Sequence, residues 1–172
     1  MLDPARTGDQ MAETDDLLRV AAAHADANQP DATFRALDQA LANTPGHILF
    51  TVLVHHPGLK ESERFYTNKP TEYPVGGRKP VTDRPWMQRV IGGGEPYIGR
   101  TREDIKEVFF DYELIWSLGC ESVLNLPVRW AGQTLGTVNL LHRAGHYTEA
   151  HIDGVRLLGQ LAVPALLAIA RR

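Results

Sequence analysis

The 172-residue chain has a single cysteine, no long apolar run and no strong excess of charge of either sign. A lone Cys120 cannot close an internal disulfide, which excludes a small secreted disulfide scaffold and fits a reducing compartment. The longest apolar stretch, Leu161 to Ala170, is about half a membrane span and is interrupted by Pro164. The N-terminus, MLDPARTGDQMAETDD, has neither the basic start nor the apolar core of a signal peptide. With 18 Lys+Arg against 21 Asp+Glu, the chain also lacks the clustered basic excess of a nucleic-acid-binding surface. A cytoplasmic protein that engages neither membrane nor nucleic acid is expected.

What is present is enough for one folded domain. Hydrophobic residues make up 43% of the chain, and a chain near 150 residues buries roughly 70% of its unfolded surface without help from disulfides or metals. Residues 1–12 are expected to be a loosely held tail, followed by helices over 13–45. Thr14 reads as an N-cap ahead of Leu17, Leu18, Ala21, Ala22 and Ala25 at helical spacing. This largely alanine face suits close packing against another helix and is the first candidate for a homodimer contact. After the break at Asn28 to Asp31, a second helix places Phe34, Leu37 and Leu41 on one face.

From Gly46 onward the period changes. His47 to Val54 reads as a buried strand, with Arg64 to Thr67 as its hairpin partner. Lys69 to Pro85 holds four prolines and Gly76-Gly77, which predicts a long functional or mobile loop. A short helix from Pro85 to Ile91 and a strand from Pro96 to Gly99 follow. Thr101 is the expected N-cap of a helix reaching about Leu118, with Ile105, Val108, Phe109, Tyr112 and Trp116 inward. Ser122 to Val128 and Leu135 to Leu141 form a hairpin, and Thr148 caps a last helix kinked by Pro164.

The run Gly119-Cys120-Glu121-Ser122-Val123-Leu124-Asn125-Leu126-Pro127-Val128 leads into Gly132-Gln133-Thr134-Leu135-Gly136-Thr137-Val138-Asn139-Leu140. Tyr147-Thr148-Glu149-Ala150-His151 and an apolar C-terminal helix complete the pattern. This order resembles the second half of a GAF domain, over about 55 residues. The resemblance implies an α+β fold for residues 46–172. A six-stranded antiparallel sheet would carry helices on both sides, with the N- and C-terminal helices packed together and a small-molecule pocket under loops and the middle helix. It is also distantly similar to the free methionine-(R)-sulfoxide reductases. Cys120 lies near, but out of register with, a cysteine of that subfamily, whose other cysteines are absent and whose pocket carboxylates appear as Val123, Asn139 and Leu141.

Strand alternation puts Val123, Asn125 and Pro127 on one face, and Leu135, Thr137, Asn139 and Leu141 on one face of the partner. Asn125 and Asn139 then either satisfy each other and nearby backbone or hydrogen-bond a ligand. Tyr66, Tyr73, Trp86, Tyr112 and Trp116, with Arg100 and Glu113, are the aromatic and charged residues expected around a pocket for a small planar or carboxylate ligand. Cys120 is the candidate nucleophile, against the alternative of a small buried apolar residue. The histidines form no ligand spacing, Gly76-Gly77-Arg78-Lys79 lacks the phosphate-loop frame, and neither a metal nor a cofactor is expected.

The expected function is that of a stand-alone GAF-like sensor or regulatory module binding a small organic metabolite, more a binding module than an enzyme. It would signal through a homodimer or a partner protein. The alternatives are a small metabolic enzyme using Cys120, Glu113, Arg100 or His142, and a protein–protein adaptor with a vestigial pocket.

Overall fold

The computed structural model describes residues 4–170. Six strands form one antiparallel sheet: β1 (Leu49–His56), β2 (Glu61–Thr67), β3 (Arg78–Pro80), β4 (Tyr97–Gly99), β5 (Ser122–Trp130) and β6 (Gln133–His142). Their spatial order is β3-β2-β1-β6-β5-β4. The β5–β6 hairpin turns through Ala131 and Gly132, at φ 49° and 78°. Two residues in the left-handed region match the twist of the flanking strands. Where β6 crosses β1, a Cβ on Gly136 would run into the carbonyl oxygen of Leu53, so only glycine allows that approach.

Alternation gives the sheet two different faces. One carries Phe50, Val52, Leu124, Leu126, Val138 and Leu140, all essentially inaccessible. Helices α1 (Pro4–Ala23), α2 (Asp31–Asn43), α6 (Ile152–Gln160) and α7 (Val163–Ala170) cover it. Phe34, Leu37 and Leu41 of α2 share this core with Val155, Leu158, Leu166 and Ile169, and Val20 joins from α1. The terminal helices therefore meet over one core, and His24 Nε2 lies 2.9 Å from the Leu161 carbonyl oxygen. No single helix among the described residues is long and apolar enough to cross a membrane.

Several elements differ from the expected ones. Among the described residues helix α1 covers Pro4–Ala23, so residues 4–12 are helical rather than a loose tail and Thr14 lies inside the helix; residues 1–3 lie outside the described residues. Ala5, Arg6, Gln10, Met11, Ala12 and Glu13 are sound helix formers. Inward packing in α1 falls to Val20, with Leu17 as expected and Ala23 beside it, whereas Leu18 is 62% exposed and Ala21, Ala22 and Ala25 face solvent. The proline-rich loop contains β3, an edge strand on Glu61 to Glu63, where Pro80 is tolerated.

The middle helix is broken into α4 (Arg102–Val108) and α5 (Tyr112–Ser117). Phe109 is extended, at φ −112° and ψ 127°, and its ring lies 6.0 Å from that of Trp86. Asp111 is engaged by Tyr73 and Lys79. Those tertiary contacts compensate for the helical hydrogen bonds given up at the break. Thr101 caps α4 as expected, in a reciprocal arrangement with Asp104. The last helix bends by 52° between α6 and α7, where Pro164 cannot donate to the Gln160 carbonyl.

Candidate functional site

The second face of the sheet is roofed by the 68–77 loop, by α3 (Pro85–Met87) with its π-helical continuation Gln88–Gly92, and by α4 and α5. Between floor and roof lies a cavity of about 50 Å³. A water needs roughly 10–15 Å³ on the same kind of measure, so the space suits a few waters or a ligand of few atoms. Trp86 walls it off from an open groove of about 630 Å³ that also touches Arg84, Arg89, Tyr97 and Lys106.

A row of polar side chains crosses the cavity floor. Thr51, Asn139 and Asn125 are direct cross-strand neighbours on β1, β6 and β5. Asn125 Nδ2 donates to Asn139 Oδ1 at 2.7 Å, and Asn139 Nδ2 donates to Thr51 Oγ1 at 3.2 Å. The donors all point one way along the row. Asn125 Oδ1 is left at its end, buried and without a partner. Such an orphan acceptor costs on the order of 1–3 kcal/mol.

Charge enters from β2 and β3. Arg64 is 7% exposed. Its guanidinium lies 3.5 Å from the centre of the Tyr73 ring, donates to the Pro74 carbonyl at 2.6 Å and approaches Asp111 at 3.7 Å. Its Nε has no partner, and neither does Trp86 Nε1. Lys79 Nζ donates to Asp111 Oδ1 at 3.0 Å and the Tyr73 hydroxyl to Asp111 Oδ2 at 2.6 Å. Burial lowers the Lys79 ammonium from its ordinary range and is only partly offset by Asp111. Burial alone would raise the Asp111 carboxyl, but Lys79 and the hydrogen bonds from Tyr73 and Lys79 hold it below the usual carboxylate value. Two cations thus face one carboxylate, with one positive charge in excess.

Of the residues singled out from sequence, Tyr73, Trp86, Asn125, Thr137 and Asn139 come together around the cavity. Tyr66 lies on the opposite face, between Phe34 and Phe50, with its hydroxyl donating to Asp38. Arg100 is exposed, and its Nη2 donates to both carboxylate oxygens of Glu149, at 2.6 and 2.7 Å. Tyr112 and Trp116 pack edge to face at 4.7 Å on the outer roof, under Lys106 and Arg102, and Glu113 points to solvent. Cys120 is wholly buried among Leu49, Ile115, Val123 and Leu141. Burial pushes its thiol up to about 11, which leaves it protonated at neutral pH. The ring of His142 stacks on that of His146 at 3.7 Å, away from the cavity.

Sequence reasoning missed Arg64, Lys79 and Asp111. The pairing of β1 with β2 slips by one residue between Val52 and Leu53, so Tyr66 faces Val52 while Arg64 faces Leu53. A one-residue slip reverses which face a side chain occupies. Simple alternation would have kept Arg64 and Tyr66 together. No composition signal marks the slip.

No protein-family model matches the chain, and no curated protein sequence matches it. Solved structures do. The GAF domain of the Acinetobacter phosphoenolpyruvate-protein phosphotransferase superposes with a TM-score of 0.72 at 12% identity, over 92% of this chain and 95% of that one. The fold is that of a GAF domain. The GAF domain of a Bacillus halodurans two-component sensor histidine kinase matches with a TM-score of 0.68 at 12% identity, covering 84% of this chain and 99% of that one. A phycocyanobilin-bound GAF domain of a cyanobacterial phytochrome gives 0.69 at 12% identity, over 93% and 97%. These likenesses carry the GAF architecture: a six-stranded antiparallel sheet between helices. Among the described residues of this GAF fold, no three His, Cys, Asp or Glu side chains gather into a group that could hold a metal ion.

Proposed function

We propose that the protein is a cytosolic sensor or regulatory module that binds a small organic molecule in the cavity between sheet and roof. The observation that carries this reading is the set of buried polar atoms around that cavity, Asn125 Oδ1, Arg64 Nε and Trp86 Nε1, for which the protein supplies no partner. Buried polar groups are nearly always satisfied, and exceptions call for a function. Binding is favoured over catalysis because Cys120, Glu113 and His142 all lie outside the cavity lining, and Lys79, the cross-strand neighbour of Ser62, is engaged by Asp111 at 3.0 Å. The bilin of the phytochrome neighbour is a tetrapyrrole, far too large for about 50 Å³, so a smaller ligand and no cofactor are proposed.

Output through a homodimer is supported by the solvent-facing flank at the end of α1, where Leu18, Ala21 and Ala22, with Ala25 just beyond the helix, are exposed. A partner protein could read the same surface. A thermal-shift screen of metabolites, followed by native mass spectrometry of the hits, tests the reading. A ligand retained unchanged supports a sensor. Turnover would assign an enzyme instead, and a complete lack of binding would leave an adaptor with a vestigial pocket.

A further inference from the structure

The chemistry of the unsatisfied atoms narrows the ligand class. Two orphan donors, Arg64 Nε and Trp86 Nε1, call for acceptor oxygens, and one orphan acceptor, Asn125 Oδ1, calls for a donor. Arg64 and Asn125 are 7% and 2% exposed, so bulk water cannot serve either. The charge pattern points the same way. Arg64 and Lys79 line the cavity, and Asp111, behind Lys79, neutralises only one of them. A buried cation without a counter-charge is costly, and a monoanion removes the cost. A planar carboxylate matches the fork of an arginine better than a spherical ion does.

The donor end has a different character. Asn125 sits among Thr137, Asn139 and Leu141, and the cavity lining includes no Asp or Glu. An ammonium group placed there would lack a counter-charge, whereas a hydroxyl satisfies Asn125 Oδ1 without adding charge. Size sets the last limit, because about 50 Å³ admits only a short carbon chain. Resting on the sensor reading above, we propose that the cavity binds a small hydroxycarboxylate, with its carboxylate at Arg64 and Lys79 and its hydroxyl donating to Asn125.

The test is isothermal titration of the full chain with glycolate, lactate and glycerate, against three isosteres that each remove one feature. Propionate lacks the hydroxyl, lactamide lacks the charge, and alanine replaces the hydroxyl with an ammonium. The expected result is binding of at least one hydroxycarboxylate, with each matching isostere at least tenfold weaker. Lys79→Met is expected to weaken the hydroxycarboxylate at least tenfold while leaving lactamide unchanged. Circular dichroism checks that this variant folds, and the wild-type series decides by itself if it does not. Equal binding of acid and amide, or equal binding of nitrate or phosphate, overturns the proposal. If no hydroxycarboxylate binds but another metabolite class does, the ligand class is wrong and the sensor reading stands. If nothing in the wider screen binds, both fail.

Discussion

Replacing Asp111 with asparagine is expected to destabilise the domain more than replacing its partner Lys79 with methionine. The pair is 3.0 Å apart with side chains only 15% and 13% exposed, so solvent screens it weakly. Removing one member of a buried pair costs about 3–5 kcal/mol, because the survivor is left uncompensated. In Lys79→Met, Asp111 keeps the Tyr73 hydroxyl at 2.6 Å and Arg64 at 3.7 Å, which reduces the loss to about 1.5 kcal/mol. In Asp111→Asn, Lys79 and Arg64 face each other without a carboxylate, and about 3 kcal/mol is expected. The double variant should cost about 2 kcal/mol, less than the two single losses together, because it leaves no stranded partner to Lys79. Urea unfolding of the wild type and three variants measures the cycle. Equal single losses within 0.5 kcal/mol, or simple additivity, would show these charges to be solvent-screened and would remove the argument for an excess positive charge at the cavity.

The same pair sets an acid limit. Because the folded Asp111 carboxyl lies below its ordinary value of 3.8, its contribution is complete above that value and is lost as pH falls through the folded pKa; Asp111→Asn should flatten the acid limb of a stability–pH curve. Cys120, held near 11 by burial, has roughly 0.03% thiolate at pH 7.5, so a thiol reagent should label it only after denaturation, and fast native labelling would restore it as a nucleophile. Thr101→Ala removes an oxygen that accepts from the Asp104 amide at 3.2 Å and should cost about 1 kcal/mol in chemical denaturation. Gly136→Ala drives a Cβ into the Leu53 carbonyl and should cost more than about 4 kcal/mol or abolish soluble expression. Gly154→Ala in α6, with nothing within 4 Å, should instead stabilise by up to about 1 kcal/mol.

Much of the architecture is legible in the sequence. The β5–β6 hairpin, the caps at Thr101 and Thr148, the inward face of α2 and the bend at Pro164 all rest on local rules: alternation, turn chemistry, capping and a missing amide donor. The GAF pattern of residues 119–151 drew on those same local features. Half of the cavity floor was equally readable, since Asn125, Thr137 and Asn139 follow from the period of two along well-formed strands. Failures came where a distant partner overrode a local rule. Phe109 and Asp111 belong to an uninterrupted helical pattern, yet Trp86, Tyr73 and Lys79 pull them out of it. Edge strand β3 was hidden by prolines that forbid a central strand and permit an outer one.

By itself, then, the sequence determined the fold family, the alternation of the sheet and which strand residues share a face. Those properties depend on spacings of two to four residues, which a chain carries wherever it is read. Tertiary structure alone decided which charges enter the cavity and which atoms go unsatisfied there. The slip opposite Val52 and Leu53 exchanged Tyr66 for Arg64, and the break at Phe109 brought Asp111 to Lys79. Both depend on contacts between segments far apart in the chain. Cys120, the chain's lone cysteine, is by sequence either a nucleophile or a small buried apolar residue, and the packing of Leu49, Ile115, Val123 and Leu141 around it decides for the second by keeping the thiol protonated.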